Sequence, residues 1–238
     1  MQAALGAGMT GDPACEDLCS LLEAQEILRK EGAGMESSVY VIFSSTPYRI
    51  GSMIRRCTGG SFNHVSIALD PELNEMFSFA RRYYRTPLYG GFVKETPSRF
   101  CVNGQHAYVQ ICKLSVTPAQ HSALSQRLEH MLAHQDYYLY NHLSALTAGL
   151  RRPVVLKGAY TCVEFCVDCL HRLGLPVTPG KYYSLETLRL LLKEHVIYTG
   201  YLHDQGDFDP VFYHKQPVTF PLLYTLRDMA ALIPRLHK

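Results

Sequence analysis

Tryptophan is absent from this chain, and so is any strong excess of charge: 23 Lys and Arg stand against 21 Asp and Glu, a formal net charge of +2. So slight an excess argues neither for nucleic acid nor for an anionic membrane as a partner. No apolar run approaches the ~20 residues that a spanning helix needs, so no membrane span is expected. The opening MQAALGAGMTGDPAC has neither a basic start nor a continuous apolar stretch, and does not read as a secretory signal. Without an export signal, the eight cysteines read as free thiols in a reducing compartment, which places the protein in the cytoplasm. No low-complexity tract, repeat or linker divides the chain. Residues 1–34 read as an extension carrying a helix over Asp17–Lys30, and residues 35–238 as a single α+β domain.

What is present is an alternation of short strands and amphipathic helices. Ser38–Ser44 is β-branched and aromatic, as a strand requires. Tyr48–Cys57 spaces Ile50, Met53 and Ile54 as a short helix would. Phe62–Leu69 (FNHVSIAL) is a second strand, and Glu75–Ala80 (EMFSFA) its hairpin partner after the Asp70-Pro71 turn. Phe92-Val93 reads as a short strand and Ala107–Leu114 as a longer one. Thr117-Pro118-Ala119-Gln120 is a helix start with a capping box, followed by Leu124, Leu128, Met131 and Leu132 on one face. Asp136–Asn141 (DYYLYN) reads as the end of that helix and the start of a loop. A helix is expected over Cys162–Leu173 with Gly174 ending it, another over Ser184–His195, a strand at Val196–Leu202 and a closing helix at Leu226–Leu236.

The stretch Tyr160–Leu170, YTCVEFCVDCL, holds three cysteines spaced C-x3-C-x2-C. That spacing binds a [4Fe–4S] cluster in radical SAM enzymes. There it sits on a flexible loop near the start of a large barrel, whereas here only a short chain follows and the cysteines lie in a helical pattern. Zinc fits no better. Cys162, Cys166 and Cys169 share one helix face but span ~10 Å, too far for one tetrahedral ion at ~2.3 Å per sulfur. No metal or other cofactor is expected. Cys166 and Cys169 read as core thiols among Val163, Val167, Leu170 and Leu173. Cys162 differs, because it opens the helix after the break at Gly158–Thr161. A thiol in the first turn faces unpaired N–H groups and the positive end of the helix dipole, which favour thiolate and can hold an oxyanion.

A nucleophilic thiol needs a base. Of eleven histidines, most fall on exposed helix faces, a helix end or polar loops, while His64 alone lies inside an otherwise apolar strand. The motif H-V-S-I-A-L-D on a strand, followed much later by Y-T-C-V-E-F opening a helix, resembles the circularly permuted NlpC-like papain-fold hydrolases, a group that includes the lecithin:retinol-acyltransferase-like enzymes. In that group the His strand precedes the Cys helix, the reverse of ordinary papain-like enzymes. The upstream VYVIFSSTPYRIGSMIRRCTGG is similar to the same group, and the likeness runs from about Val39 to Leu202.

The resemblance implies a circularly permuted papain-like fold, an antiparallel sheet or half-barrel packed against helices. Cys162 would be its nucleophile and His64 its general base. The third, ring-orienting group would fall on the strand after the His strand, near Ser78, where the family more often has His or Glu. Tyr160 could offer its hydroxyl to the oxyanion or simply pack its ring. The implied activity is that of a thiol hydrolase (amidase, peptidase or thioesterase-like) or acyltransferase. It would act on a small-molecule, peptide or acyl substrate, with no nucleic acid partner. Two rivals stand beside it. One is an inactive binding module that keeps the fold. The other is a redox sensor pairing Cys162 with Cys166, which helix geometry disfavours.

Overall fold

The run Val39–Phe43 is apolar at every position because it is covered on both faces. Val39, Val41 and Phe43 point into one core and Tyr40 and Ile42 into another. This strand, β1 (Ser37–Ser45), is internal to a sheet. The computed structural model describes residues 37–46, 60–86, 88–100, 106–202, 209–214 and 219–236. The helices expected at Asp17–Lys30 and Tyr48–Cys57 therefore lie outside the described residues, as do the whole 1–34 extension and its junction with the rest.

The other strands are β2 (His64–Ala68), β3 (Met76–Arg81), β4 (Gly90–Glu95), β5 (Ala107–Val116), β6 (Leu139–Tyr140), β7 (Ala159–Tyr160) and β8 (Val196–Leu202). They form one sheet of eight strands in the order β7-β6-β4-β3-β2-β1-β5-β8. Every pairing is antiparallel except β6 with β7. The described helices are α1 (Pro118–Ala133), α2 (His142–Thr147), α3 (Cys162–Arg172), α4 (Leu185–Leu191), α5 (Pro210–Tyr213) and α6 (Thr219–Leu232). The architecture is thus mixed α+β.

Alternation along the strands sorts the two faces. Val65, Ile67, Phe77, Phe79 and Phe92 join Leu124, Leu128 and Met131 of α1 and Phe165, Cys166, Cys169 and Leu170 of α3 in the larger core. On the other face Ala68, Met76 and Phe100 join Tyr40 and Ile42. The register Tyr40↔Ala68 and Ile42↔Ser66 puts His64, Ser66 and Ala68 on this second side. The β2–β3 ladder is short: only Ile67↔Phe77 and Ala68↔Met76 are paired. Toward His64 and Ala80 the sheet is open.

Both major helices start where their sequences say. Thr117 accepts from the Gln120 amide at 3.2 Å and Gln120 takes the Thr117 amide at 2.9 Å, a closed capping box. Gly174 follows α3 at φ +85°, the left-handed turn that glycine adopts without strain. Ser184 caps α4, which ends in a 3-10 turn at Lys193–His195 rather than running on as one α-helix. The last helix begins at Thr219, ahead of the expected Leu226.

Strands β6 and β7 fall where the sequence reads as loop. Two-residue strands carry no periodicity; neighbouring backbone specifies them. Gly158 is the pivot between them: its carbonyl accepts from Leu139 N at 3.0 Å, and its φ is +69°. A Cβ here would meet the Tyr137 ring at 2.5 Å. Gly158→Ala is therefore expected to lower stability by about 1–2 kcal/mol or more, measured by denaturant unfolding.

Candidate active site

Helix α3 opens on Cys162, and its first turn is closed by a second capping box. Thr161 Oγ1 accepts from the Glu164 amide at 3.2 Å and Glu164 Oε2 accepts from the Thr161 amide at 2.7 Å. Two of the turn's unpaired donors are satisfied in this way, and the amides of Cys162 and Val163 are not used by the box. Cys162 is 8 % exposed, while Cys166 and Cys169, one and two turns on, are 0 % exposed. The C-x3-C-x2-C spacing is thus one thiol at the helix mouth and two in the core. Burial pushes the Cys166 and Cys169 thiols well up, and pushes Cys112 on β5 up to about 12.

The thiol of Cys162 lies beside the imidazole of His64, close enough to favour its protonated form. The two residues come from opposite sides of the sheet: Cys162 belongs to the helix-side core and His64 to the other face. The β2–β3 ladder is unpaired toward His64. Phe79, on the β3 side of that gap, packs against Phe165 and Tyr160 of the Cys162 segment, with centroids 5.4 and 5.1 Å apart.

The group that orients the ring is Glu95, which the sequence reading did not single out. Its Oε2 lies 3.0 Å from His64 Nε2 and accepts from Ser66 Oγ at 2.8 Å. Nδ1 is then the ring nitrogen left to the thiol. Glu95 sits at the end of β4, opposite Met76, so its side chain must cross β3 to reach β2. Ser78 is what lies under that crossing. It is fully buried, its hydroxyl is close enough to help keep the Glu95 carboxylate ionised, and its oxygen lacks good hydrogen-bond geometry to any partner. Ser78 therefore touches Glu95 and not the ring, a correction to its expected place as the orienting group. A larger residue there would block the carboxylate. The signal that points to Glu95 is a carboxylate on the strand beyond the hairpin, with small residues between it and His64.

The electrostatics follow from this geometry. Burial alone would push the imidazole down, but the Glu95 charge and the contact with Cys162 outweigh it and hold His64 up at about 10. Burial would likewise push Glu95 up, but the His64 charge and hydrogen bond, with help from Ser78 and Arg99, hold it down at about 2. The favoured state is a carboxylate beside an imidazolium. Arg99 is itself fixed by Asp209 at 2.6 Å.

The charges that act on Tyr160 are those of Asp168, Arg127 and Arg172, not that of Cys162. The Tyr160 ring packs on Phe79 and lies near Arg127, which holds Asp168 of α3 at 2.6 Å. The tyrosine within electrostatic reach of the Cys162 sulfur is Tyr140, which sits beside Tyr160 in the parallel β6–β7 pair. Burial and the nearby Cys162 and Glu164 charges push its phenol up, so it stays a neutral donor. The next residue, Asn141, locks this strand to the helix mouth. Its amide donates to Tyr160 O at 3.0 Å, and its Nδ2 donates to Val154 O at 2.8 Å and to Glu164 Oε2 at 3.3 Å.

Among the described residues, no helix is long and apolar enough to cross a membrane. Compared with protein-family models, with curated proteins and with solved structures, the chain matches none, so the geometry of Cys162, His64 and Glu95 is what speaks for its function.

Proposed function

We propose that this chain is a cysteine-dependent hydrolase or acyltransferase of the circularly permuted NlpC-like papain-fold group. Cys162 is its nucleophile, His64 its base and Glu95 its orienting carboxylate. The observation that carries the reading is a helix-opening thiol placed beside an imidazole that a buried carboxylate holds at 3.0 Å. The strand-before-helix order of His64 and Cys162 supports the permuted topology.

In the reaction, the Cys162 sulfur attacks the carbonyl carbon of an amide, ester or thioester, and the carbonyl π pair moves onto oxygen. The helix-mouth amides of Cys162 and Val163 and the Tyr140 hydroxyl are the donors for that oxyanion. As the tetrahedral species collapses, His64 gives its proton to the leaving group and Glu95 stabilises the imidazolium up to that point. Water or another acceptor, deprotonated by His64, then releases the acyl group from sulfur.

The test is acylation by activated acyl esters, read by intact mass and peptide mapping. A single acyl mass on Cys162 that hydrolyses with time supports the reading; its absence across short- and long-chain esters and thioesters counts against it. Tyr140→Phe is expected to slow this acylation about 100-fold, since one oxyanion donor is lost. It should leave alkylation by iodoacetamide unchanged, because that reaction builds no oxyanion.

A binding module keeping the same fold is the second reading, and the low exposure of Cys162 is the observation that favours it. Such a module would show no acyl adduct and no dependence on His64.

A further inference from the structure

Residues 137–163 contain no aspartate or glutamate, and residues 219–236 contain one, Asp228, which is buried and paired with Arg227 at 2.9 Å. These two segments pack on each other. Leu232 and Ala231 of α6 join Leu139, Leu143, Val154 and Leu156 in one apolar cluster. Arg235 donates to the carbonyls of Lys157 at 3.0 Å and Tyr137 at 3.1 Å.

Both segments expose large apolar side chains. Leu226 and Met229 of α6 and Ile233 of the 3-10 turn that follows it (Ile233–Arg235) form a stripe 56, 40 and 60 % exposed, and on the neighbouring segment Leu146, Leu150 and Val155 are 76, 73 and 73 % exposed. Single exposed apolar residues mean little, but a cluster of them marks an interaction surface. The uncompensated charges exposed on these two segments are of one sign, Arg151, Arg152 and Lys157, while Arg227 is tied to Asp228. The exposed carboxylate nearest in sequence, Asp136, faces Arg82 at 3.9 Å. A net charge of +2 conceals this because it averages over the whole molecule.

Among the described residues, an apolar surface that carries Arg151, Arg152 and Lys157 finds its natural complement in an anionic lipid surface, where the arginines meet phosphates and the apolar stripe enters the acyl boundary. A second copy of the chain fits poorly, since a two-fold contact would set the same cations against themselves. We propose that α6 and the Leu146–Lys157 segment dock this protein peripherally on an anionic membrane surface.

The test is co-sedimentation of the full chain with vesicles of equimolar phosphatidylcholine and phosphatidylglycerol, and with phosphatidylcholine alone. Wild type is expected to pellet with the anionic vesicles, to stay in solution with the neutral ones, and to be released by salt. Cys162→Ser should pellet as wild type does, which separates docking from catalysis. Arg151→Gln/Arg152→Gln, in an exposed loop, should weaken partitioning about 10- to 30-fold, and Leu226→Glu/Ile233→Glu should abolish it, with circular dichroism confirming that each variant is folded. Wild type left in the supernatant, equal pelleting with neutral vesicles, or unchanged pelleting of both variants overturns the proposal. So does a dimer, seen by light scattering, that Leu226→Glu/Ile233→Glu dissociates while no vesicle binds.

Discussion

Iodoacetamide is expected to modify Cys162 far faster than Cys112, Cys166 or Cys169, with the sites told apart by peptide mapping. The thiolate is the nucleophile, so rate follows ionisation and access. Burial pushes Cys112 up to about 12, and Cys166 and Cys169 up as well, with no cation in the core to offset it fully. Cys162 lies at a helix mouth, against an imidazole that is positively charged in its favoured state. His64→Ala removes that partner and should slow the reaction about 100-fold or more, within the range that a positioned acid–base group supplies. Cys162→Ser should remove the fast phase altogether. Cys15, Cys19, Cys57 and Cys101 lie outside the described residues, and their peptides are followed in the same digest. Equal and slow modification of Cys162 and these four would end the nucleophile assignment.

Glu95→Gln is expected to act on both chemistry and stability. The amide keeps the size of the carboxylate but not its charge, so the imidazolium loses its counter-ion and the ring its preferred tautomer. Acylation of Cys162 should fall by up to about 10⁴-fold, the scale seen when an orienting carboxylate is neutralised. Stability should fall by about 2–3 kcal/mol, the worth of a buried hydrogen bond between charged groups. Its pH dependence has a defined sign. Glu95 is depressed from 4.5 to about 2, so its contribution is present above pH 4.5 and is lost as pH falls toward 2. His64 is raised from 6.5 to about 10, so its contribution is present below pH 6.5 and is lost as pH rises toward 10. The gap between wild type and Glu95→Gln, measured by denaturant unfolding, should therefore be widest between pH 4.5 and 6.5 and narrow on both sides. A gap that is flat with pH would mean that the pair is not ionised in the folded protein.

Much of this was legible locally. The small-residue break at Gly158–Thr161 and the helical spacing after it mark Cys162 as the first residue of a helix. An isolated histidine in the apolar strand FNHVSIAL is visible in the same way, as is the mixed α+β alternation. Each of these depends on interactions within one turn or one strand, so the chain carries its own record of them.

Glu95, Tyr140 and the docking face had no such record. Glu95 reaches His64 only because β3 lies between their strands and offers Ser78, a small side chain, at the crossing. Tyr140 rather than Tyr160 is the tyrosine on which the Cys162 charge acts, and β6 reaches this place by pairing in parallel with β7. The docking face appears only when residues 137–163 and 219–236 are brought together. By itself, then, the sequence determined which residues open helices, which alternate in strands, and which thiol and imidazole stand out, because short-range hydrogen bonding and periodicity dictate these. Which carboxylate, which tyrosine and which surface belong with them was decided by strand order and register, contacts between distant segments that leave no local pattern to read.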